Sequence, residues 1–131
     1  MILVDTSIIV AWLDGTHEDH RACARALEHW AGQDQLAVST VTYAELAAGG
    51  RTRAAVDEDL QDFQKIELGL DASWRAGLVF GRVYPSSKDR KPVLPDFLIR
   101  AQAASLNCKH LTNDHRRLTA FPEIEYLFPG S

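Results

Sequence analysis

Residues 2–7 have the sequence Ile-Leu-Val-Asp-Thr-Ser, in which a carboxylate directly follows a short apolar run. A second apolar run occupies residues 8–13. Burying an unpaired carboxylate costs several kcal/mol, so Asp5 is not expected in a core. We expect Asp5 at the carboxyl end of a buried parallel strand, where open sheets form their ligand sites. Thr6 or Ser7 then lies near the N-cap of the next helix.

Three further acidic residues lie in comparable settings, each beside an apolar segment. They are Glu45 in residues 42–46, Asp96 in residues 94–99 and Asp114 in residues 111–114. Four carboxylates that converge on one point repel each other, and a divalent cation relieves that repulsion. The pattern therefore predicts a shared acidic site.

Strand and helix signals alternate along the chain, which favours a parallel α/β sheet. Strands are predicted at residues 2–5, 36–39, 66–68, 109–112 and 124–127. Helices are predicted at residues 6–13, 17–31, 52–65, 71–84 and 95–106, with a polar loop at 85–93. A further helix is predicted to begin at Thr40 or Thr42, to carry Glu45, and to end at residues 49–50.

Apolar side chains at helical spacing indicate the faces that pack in the core. By this criterion the three tryptophans are predicted to pack rather than to stack on bases: Trp12, Trp30 and Trp74. The helix at 6–13 is apolar almost throughout, more than one buried face requires. Part of it, near Trp12 and Leu13, is expected to be exposed to a partner.

Bulk properties limit the class of protein. A chain of 131 residues fits one domain, residues 1–131, with room for a core. The net charge of −4 predicts that any contact with nucleic acid uses local basic patches. No apolar stretch approaches the roughly 20 residues that span a bilayer, and no secretory signal pattern is present. We expect a cytoplasmic protein without a membrane partner, with Cys23 and Cys108 as reduced thiols.

The four acidic segments together resemble the motifs of the PIN domain family and, within it, the VapC-type toxin ribonucleases of toxin–antitoxin pairs. Their order and spacing fit across nearly the whole chain. The resemblance implies a single α/β PIN-like domain, with a central parallel β-sheet flanked by helices and a metal-dependent acidic pocket. It also implies an endoribonuclease acting on RNA. A homodimer, and a small VapB-type antitoxin whose C-terminal segment blocks the pocket, follow from the resemblance alone.

The residue types suit that chemistry, because Mg²⁺ prefers hard oxygen ligands, and Mn²⁺ is a possible substitute. We interpret Asp5 and Asp96 as the central metal ligands. Glu45 and Asp114 would act by ligation, through water or by positioning the nucleophile. Three further residues have hydroxyl or amide groups that can orient carboxylates or water: Thr6, Thr112 and Asn113.

Basic residues that flank the later acids are candidate contacts for RNA phosphates. They are Lys88, Arg90, Lys91, Arg100, Arg116 and Arg117. An ordinary solvated surface explains the same residues equally well. Arg100 departs from the family pattern, which is usually small and apolar at this position, and it would pair with Asp96 or contact phosphate.

Two other functions remain open from the sequence. One is a non-catalytic binding module that keeps the PIN fold, which the presence of all four acids disfavours. The other is a phosphate-ester hydrolase or phosphotransfer domain of another α/β family. The haloacid dehalogenase type needs a second aspartate where Ser7 stands. Metal-dependent RNA cleavage, compared with hydrolysis of a small phosphate ester, distinguishes these alternatives.

Overall fold

The computed structural model describes residues 1–86, 88 and 94–130. Five strands form one parallel sheet: β1 Ile2–Val4, β2 Leu36–Ser39, β3 Gln64–Ile66, β4 Lys109–Leu111 and β5 Tyr126–Leu127. The helices in the described residues are α1 Thr6–Leu13, α2 His20–Ala31, α3 Thr40–Ala48, α4 Arg53–Asp59, α5 Leu70–Val83 and α6 Leu94–Leu106, and a 3₁₀ turn spans Leu118–Ala120. No helix in these ranges is long and apolar enough to cross a membrane.

The order of strands across the sheet is β3-β2-β1-β4-β5, and each neighbouring pair is parallel. This confirms the predicted α/β class with a central parallel sheet. β1 lies in the middle, with Val4 opposite Leu111 of β4. Because the strands are parallel, the segments that follow β1, β2 and β4 leave the sheet at the same edge.

The sheet separates two layers of core. Side chains alternate across a strand, so Ile2 and Val4 of β1 pack with α1 to α4, whereas Leu3 packs with α5 and α6. All three side chains are fully buried. This burial on both faces explains why β1 is an uninterrupted apolar run rather than an alternating one.

Two predicted helices are shorter in the structure. The helix predicted at 17–31 begins at His20, because residues 14–19 form turns in which the Asp14 carboxylate accepts the Thr16 amide. The helix predicted at 52–65 ends at Asp59, since the chain turns to bury Leu60 and Phe63. Residues 64–66 then pair with β2 and form β3. The strand predicted at 66–68 therefore begins two residues later than the observed one.

The prediction for Trp74 was wrong, because its side chain is 72% exposed. Helix α5 buries Ala72, Ala76 and Phe80 instead, which turns the face with Trp74 away from the core. Trp12 and Trp30 are partly buried against the core, as the spacing indicates.

Candidate active site

Four segments bring the predicted acids to one edge of the sheet. Asp5 follows β1, and Glu45 lies on α3, which begins directly after β2. Asp96 occupies the first turn of α6, and Asp114 lies in the loop after β4. All four line a single cavity of about 450 Å³. The structure therefore brings the four carboxylates together, as predicted, although Glu45 and Asp96 lie on helices and not at strand ends.

Hydroxyl donors hold the Asp5 carboxylate in place. Its Oδ2 accepts hydrogen bonds from Ser7 Oγ at 2.6 Å and from Thr112 Oγ1 at 3.0 Å. The Thr112 hydroxyl also accepts the backbone N–H of Asp114 at 3.1 Å. Asp5 is only 5% exposed and lies at the N-terminus of α1, where the helix dipole favours a negative charge.

A second chain of hydroxyls positions Glu45. Thr6 Oγ1 donates to Glu45 Oε1 at 2.7 Å and lies 2.9 Å from Thr42 Oγ1. Because Thr6 has only one hydroxyl proton, Thr42 is the donor in the second bond. Burial raises the pKa of Glu45 above its ordinary value, the Thr6 hydrogen bond opposes this, and the charge of Asp5 adds to it.

Asp96 experiences the combined field of the other acids. Burial, then the charges of Asp5, Asp114 and Glu45, raise its pKa to about 6. The positive charge of Arg100 opposes this rise in pKa, but it has the smallest effect of these groups. A carboxyl group in this state gains from a nearby cation, because a positive charge favours its ionised form.

Asp114 has a different environment, because two arginines surround it. Arg116 donates from Nε to Oδ1 at 3.0 Å and from Nη2 to Oδ2 at 3.1 Å. Arg100 Nη2 lies 3.9 Å from Oδ2. Burial alone would raise the pKa of Asp114, but the Arg116 hydrogen bonds and both guanidinium charges hold it below its ordinary value.

Three residues around the acids were not predicted as part of the site: Ser7, Thr42 and His110. His110 is fully buried, and its ring N–H at Nδ1 donates to the Leu3 carbonyl at 2.9 Å. Burial lowers its pKa, although the charge of Asp5 opposes this, so the ring is neutral. Its Nε2 then has no partner among the described residues and faces Asp5 Oδ1 at 3.9 Å. The sequence signal that could have identified His110 is its polar side chain within a buried strand.

The other predicted polar residues are placed as follows. Thr6 and Thr112 hydrogen-bond site carboxylates directly. The backbone N–H of Asn113 donates to Ser7 Oγ at 3.0 Å, while its side-chain amide donates to Asp19 Oδ2 at 3.0 Å. The backbone of Asn113 therefore supports Asp5 through Ser7. Its side chain binds Asp19 at the start of α2 and does not contact a carboxylate of the site.

The predicted phosphate contacts fall into three groups. Arg116 and Arg117 are exposed, and so is Lys88, whereas Arg90 and Lys91 lie outside the described residues. Arg100 requires a correction, because it is only 3% exposed. Its guanidinium donates to the backbone oxygens of Arg116 and Asp114 beneath the cavity, so it is not on a surface that RNA reaches.

The donor set fits a hard divalent cation. Burial, and then the charges of Asp5, Asp114 and Glu45, raise the pKa of Asp96, and a cation in the cavity would favour its ionised form. No three His, Cys, Asp or Glu side chains of the described ranges form a ready-made metal cage. Mg²⁺ does not need one, since it is commonly held by one or two carboxylates and retains several waters.

Comparison with known proteins relates this arrangement to a family. The family model of the PIN domain matches residues 2–124. No curated protein matches the chain. VapBC2 from Rickettsia felis, solved bound to a promoter DNA fragment, has a chain that is 22% identical over 99% of this chain and 100% of its own, with a TM-score of 0.74.

Two further solved structures are similar. VapBC-1 from nontypeable Haemophilus influenzae is 20% identical over 98% of both chains, with a TM-score of 0.73. The sarcin-ricin loop cleaving toxin VapC20 from Mycobacterium tuberculosis is 20% identical over 95% of this chain and 99% of its own, with a TM-score of 0.65. These likenesses show a shared fold. The family model of the PIN domain matches nearly the whole length of this chain, so the chain belongs to the PIN domain family.

Proposed function

We propose that this protein is a metal-dependent endoribonuclease that hydrolyses RNA phosphodiester bonds. The observation that supports this most directly is the convergence of Asp5, Glu45, Asp96 and Asp114 around one cavity at the carboxyl edge of the sheet. Membership of the PIN domain family supports a nuclease role. A solved relative that cleaves the sarcin-ricin loop makes RNA the substrate class to test first.

Asp5 and Asp96 would hold Mg²⁺ or Mn²⁺, with Glu45 close enough to bind the ion or one of its waters. The bound ion would activate a water as the nucleophile and offset charge on the phosphoryl oxygens. Ser7 and Thr112 keep the Asp5 carboxylate oriented. The exposed cations Lys88 and Arg117 would attract the RNA backbone towards this edge.

We further propose that the protein is the toxin of a VapBC-type pair, because several of the similar structures are toxin–antitoxin complexes. A VapB-type antitoxin would place a basic residue of its C-terminal segment in the acidic cavity. A guanidinium matches carboxylates in a bidentate manner and takes the place of a cation. Val10, which is 44% exposed and lines the cavity, offers an apolar contact beside that residue.

A homodimer is also proposed, and α5 provides the surface. Its outer face combines three apolar side chains at helical spacing, 90%, 72% and 45% exposed respectively: Leu70, Trp74 and Leu78. Asp71 in the first turn and Arg82 in the last turn flank this face. In an antiparallel pair of α5 helices related by a two-fold axis, each Asp71 meets the Arg82 of the other copy. The ion pair therefore forms twice in the dimer, once at each end of the helix pair.

RNA cleavage by purified protein tests the enzymatic proposal. We expect EDTA to abolish cleavage, Mg²⁺ or Mn²⁺ to restore it, and Ca²⁺ to restore it poorly, because Ca²⁺ accepts longer and more variable coordination. Asp5→Asn and Asp96→Asn should each abolish cleavage with the fold intact, whereas the surface control Asp62→Asn should not. Full activity in EDTA with trace metal excluded would refute the mechanism. Faster hydrolysis of a small phosphate ester than of RNA would favour the other hydrolase class.

The antitoxin proposal is tested with the C-terminal peptide of the candidate antitoxin. The peptide should bind and inhibit, and replacing its Arg and Lys residues with Gln should weaken both effects. Unchanged affinity and inhibition would rule out the charge-based block without affecting the ribonuclease proposal.

A further inference from the structure

The four carboxylates of the cavity are not equivalent, because among the described residues only Asp114 is paired with cations. Both of its oxygens accept hydrogen bonds from Arg116, at 3.0 and 3.1 Å. Its Oδ1 also accepts the backbone N–H of Arg116 at 2.9 Å. This bidentate pair engages both carboxylate oxygens of Asp114 at once.

Arg100 holds this arrangement from below. Its Nη1 donates to the carbonyl of Arg116 at 2.6 Å, and its Nη2 donates to the carbonyl of Asp114 at 3.2 Å. The guanidinium also lies over the ring of Tyr126, 5.7 Å from the centroid. A buried arginine with these partners does not leave easily, because removal of one partner leaves an uncompensated charge. Arg100 therefore keeps the loop of Asp114 closed on α6.

Within the part of the chain that the structure describes, the other three acids have no such cation. The hydrogen bonds recorded for Asp5 and Glu45 come from the hydroxyls of Ser7, Thr112 and Thr6. Among the described residues, no lysine or arginine lies within ion-pair distance of Asp5, Glu45 or Asp96. Their charge is available for a ligand.

We propose that the cavity binds a single divalent ion through the carboxylates of Asp5, Glu45 and Asp96, and that Arg100 and Arg116 exclude a second ion by occupying Asp114. The charges agree with this number. Four ionised carboxylates and two guanidiniums leave two net negative charges, which one divalent cation neutralises. A second ion at Asp114 would have to displace Arg116 and then lie beside the Arg100 cation. The inference rests on the proposed metal-dependent function and specifies its stoichiometry.

Calorimetric titration of the RNA-free protein with Mn²⁺ tests the number of ions. The wild type should bind one ion per chain. Asp114→Asn should still bind one ion, with a smaller loss of affinity than Asp96→Asn, because this carboxylate contributes its charge to the site but is not a ligand. Asp96→Asn should lose affinity by at least about tenfold, since even groups that only support a metal ligand contribute this much.

The two arginines are tested by their removal. Arg100→Met with Arg116→Met should free Asp114 and raise the stoichiometry to two ions per chain. Arg117→Met is the matched control, because Arg117 lies in the same loop but donates to Tyr84 Oη rather than to Asp114. It should bind one ion. Should the double variant fail to fold, titrations of Arg116→Met alone and of the wild type still test the number of bound ions.

Each outcome has a definite meaning. Two ions in the wild type, or loss of the ion in Asp114→Asn comparable to that in Asp96→Asn, would overturn the single-ion site. A folded double variant that still binds one ion would overturn the role of the arginines. No binding at all by the wild type would refute both this inference and the metal-dependent function. One bound ion without RNA cleavage would refute only the proposed function.

Discussion

At Thr112 a single hydroxyl links two acids of the site. It donates to Asp5 Oδ2 and accepts the backbone N–H of Asp114, and the residue is fully buried. Thr112 follows β4 and precedes Asp114, and it thus orients the Asp5 carboxylate that we propose as a metal ligand. Such supporting hydrogen bonds determine how well a ligand is presented to its metal.

We expect Thr112→Val to disturb both acids, because valine keeps the shape of threonine but neither donates nor accepts. The Asp114 amide loses its acceptor, and the free energy of unfolding should fall by about 1–3 kcal/mol. The affinity for Mn²⁺ should fall by about 10–100-fold. Urea unfolding and calorimetry measure the two effects. Thr119→Val, at an exposed position, is the control, and equal behaviour of the two variants would contradict the assigned role.

Asp96 predicts how stability depends on pH in the metal-free protein. Its pKa is raised to about 6 in the fold, so the native state binds more protons than the unfolded state between about pH 4 and pH 6. Its contribution is therefore present at low pH and is lost as the pH rises through about 6.

Asp96→Asn should remove this dependence. Because Asp96 is only partly buried, solvent screening reduces the effect, and we expect a stabilisation of about 1 kcal/mol at pH 7 in EDTA. Near pH 4 the variant and the wild type should agree. Thermal unfolding in EDTA across this range is the measurement, and a variant that gains no stability at pH 7 would show that the fold does not disfavour the ionised form of Asp96.

At the scale of elements, α5 separates a buried face from an exposed apolar one. Ala72, Ala76 and Phe80 cover the sheet and α6, while the face with Trp74 points to solvent. A Cβ added at Gly77 on this outer side would meet nothing within 4 Å. Glycine inside a helix costs roughly 0.5–1 kcal/mol relative to alanine, and packing within the chain does not require it here. Close approach of a second α5 helix in the proposed homodimer would explain the glycine.

We expect Trp74→Ser to weaken the dimer by about 2 kcal/mol, because central tryptophans contribute strongly to interfaces. Light scattering after size exclusion, over a range of concentrations, measures the change in mass. Asp71→Arg alone should also weaken association, and adding Arg82→Asp should restore it. Glu58→Arg on the exposed face of α4 is the control for charge reversal. A monomeric wild type would contradict the proposal.

At the scale of the whole molecule, the proposed metal site is also a source of instability. The acids that converge at the sheet edge repel each other without a cation, although the overall net charge is only −4. Metal binding to the folded state alone therefore links stability to metal concentration. The fold is expected to be least stable when metal is absent and the pH is neutral.

Addition of Mg²⁺ at a hundred times its Kd should raise the free energy of unfolding by about 2.7 kcal/mol. Asp5→Asn should abolish most of this increase. NaCl at the same ionic strength is the control, because general screening acts on all surface charges. If NaCl stabilises the wild type as much as Mg²⁺ does, no specific ion is bound.

Much of this architecture follows from local sequence. An apolar run with an acid after it identifies a strand that ends at a ligand edge, so Asp5 and Asp114 were placed correctly. Glu45 follows β2 by a few residues, and Pro95 indicates the first turn that holds Asp96. These inferences succeed because parallel strands bring their carboxyl ends to one edge, whatever the details of packing.

The tertiary structure was needed wherever the outcome depends on residues distant in sequence. Helix periodicity shows that α5 has apolar residues on its surface, but packing against the sheet and α6 determines that the face with Phe80 is buried and the face with Trp74 is exposed. Arg100 looked like a surface cation because its acceptors are backbone carbonyls 14 and 16 residues away. The role of His110 was not predicted, because its burial and its hydrogen bond to the Leu3 carbonyl depend on the pairing of β1 with β4. Local patterns determine elements and strand ends, whereas burial and pairing of a polar group depend on which surfaces meet when the chain folds.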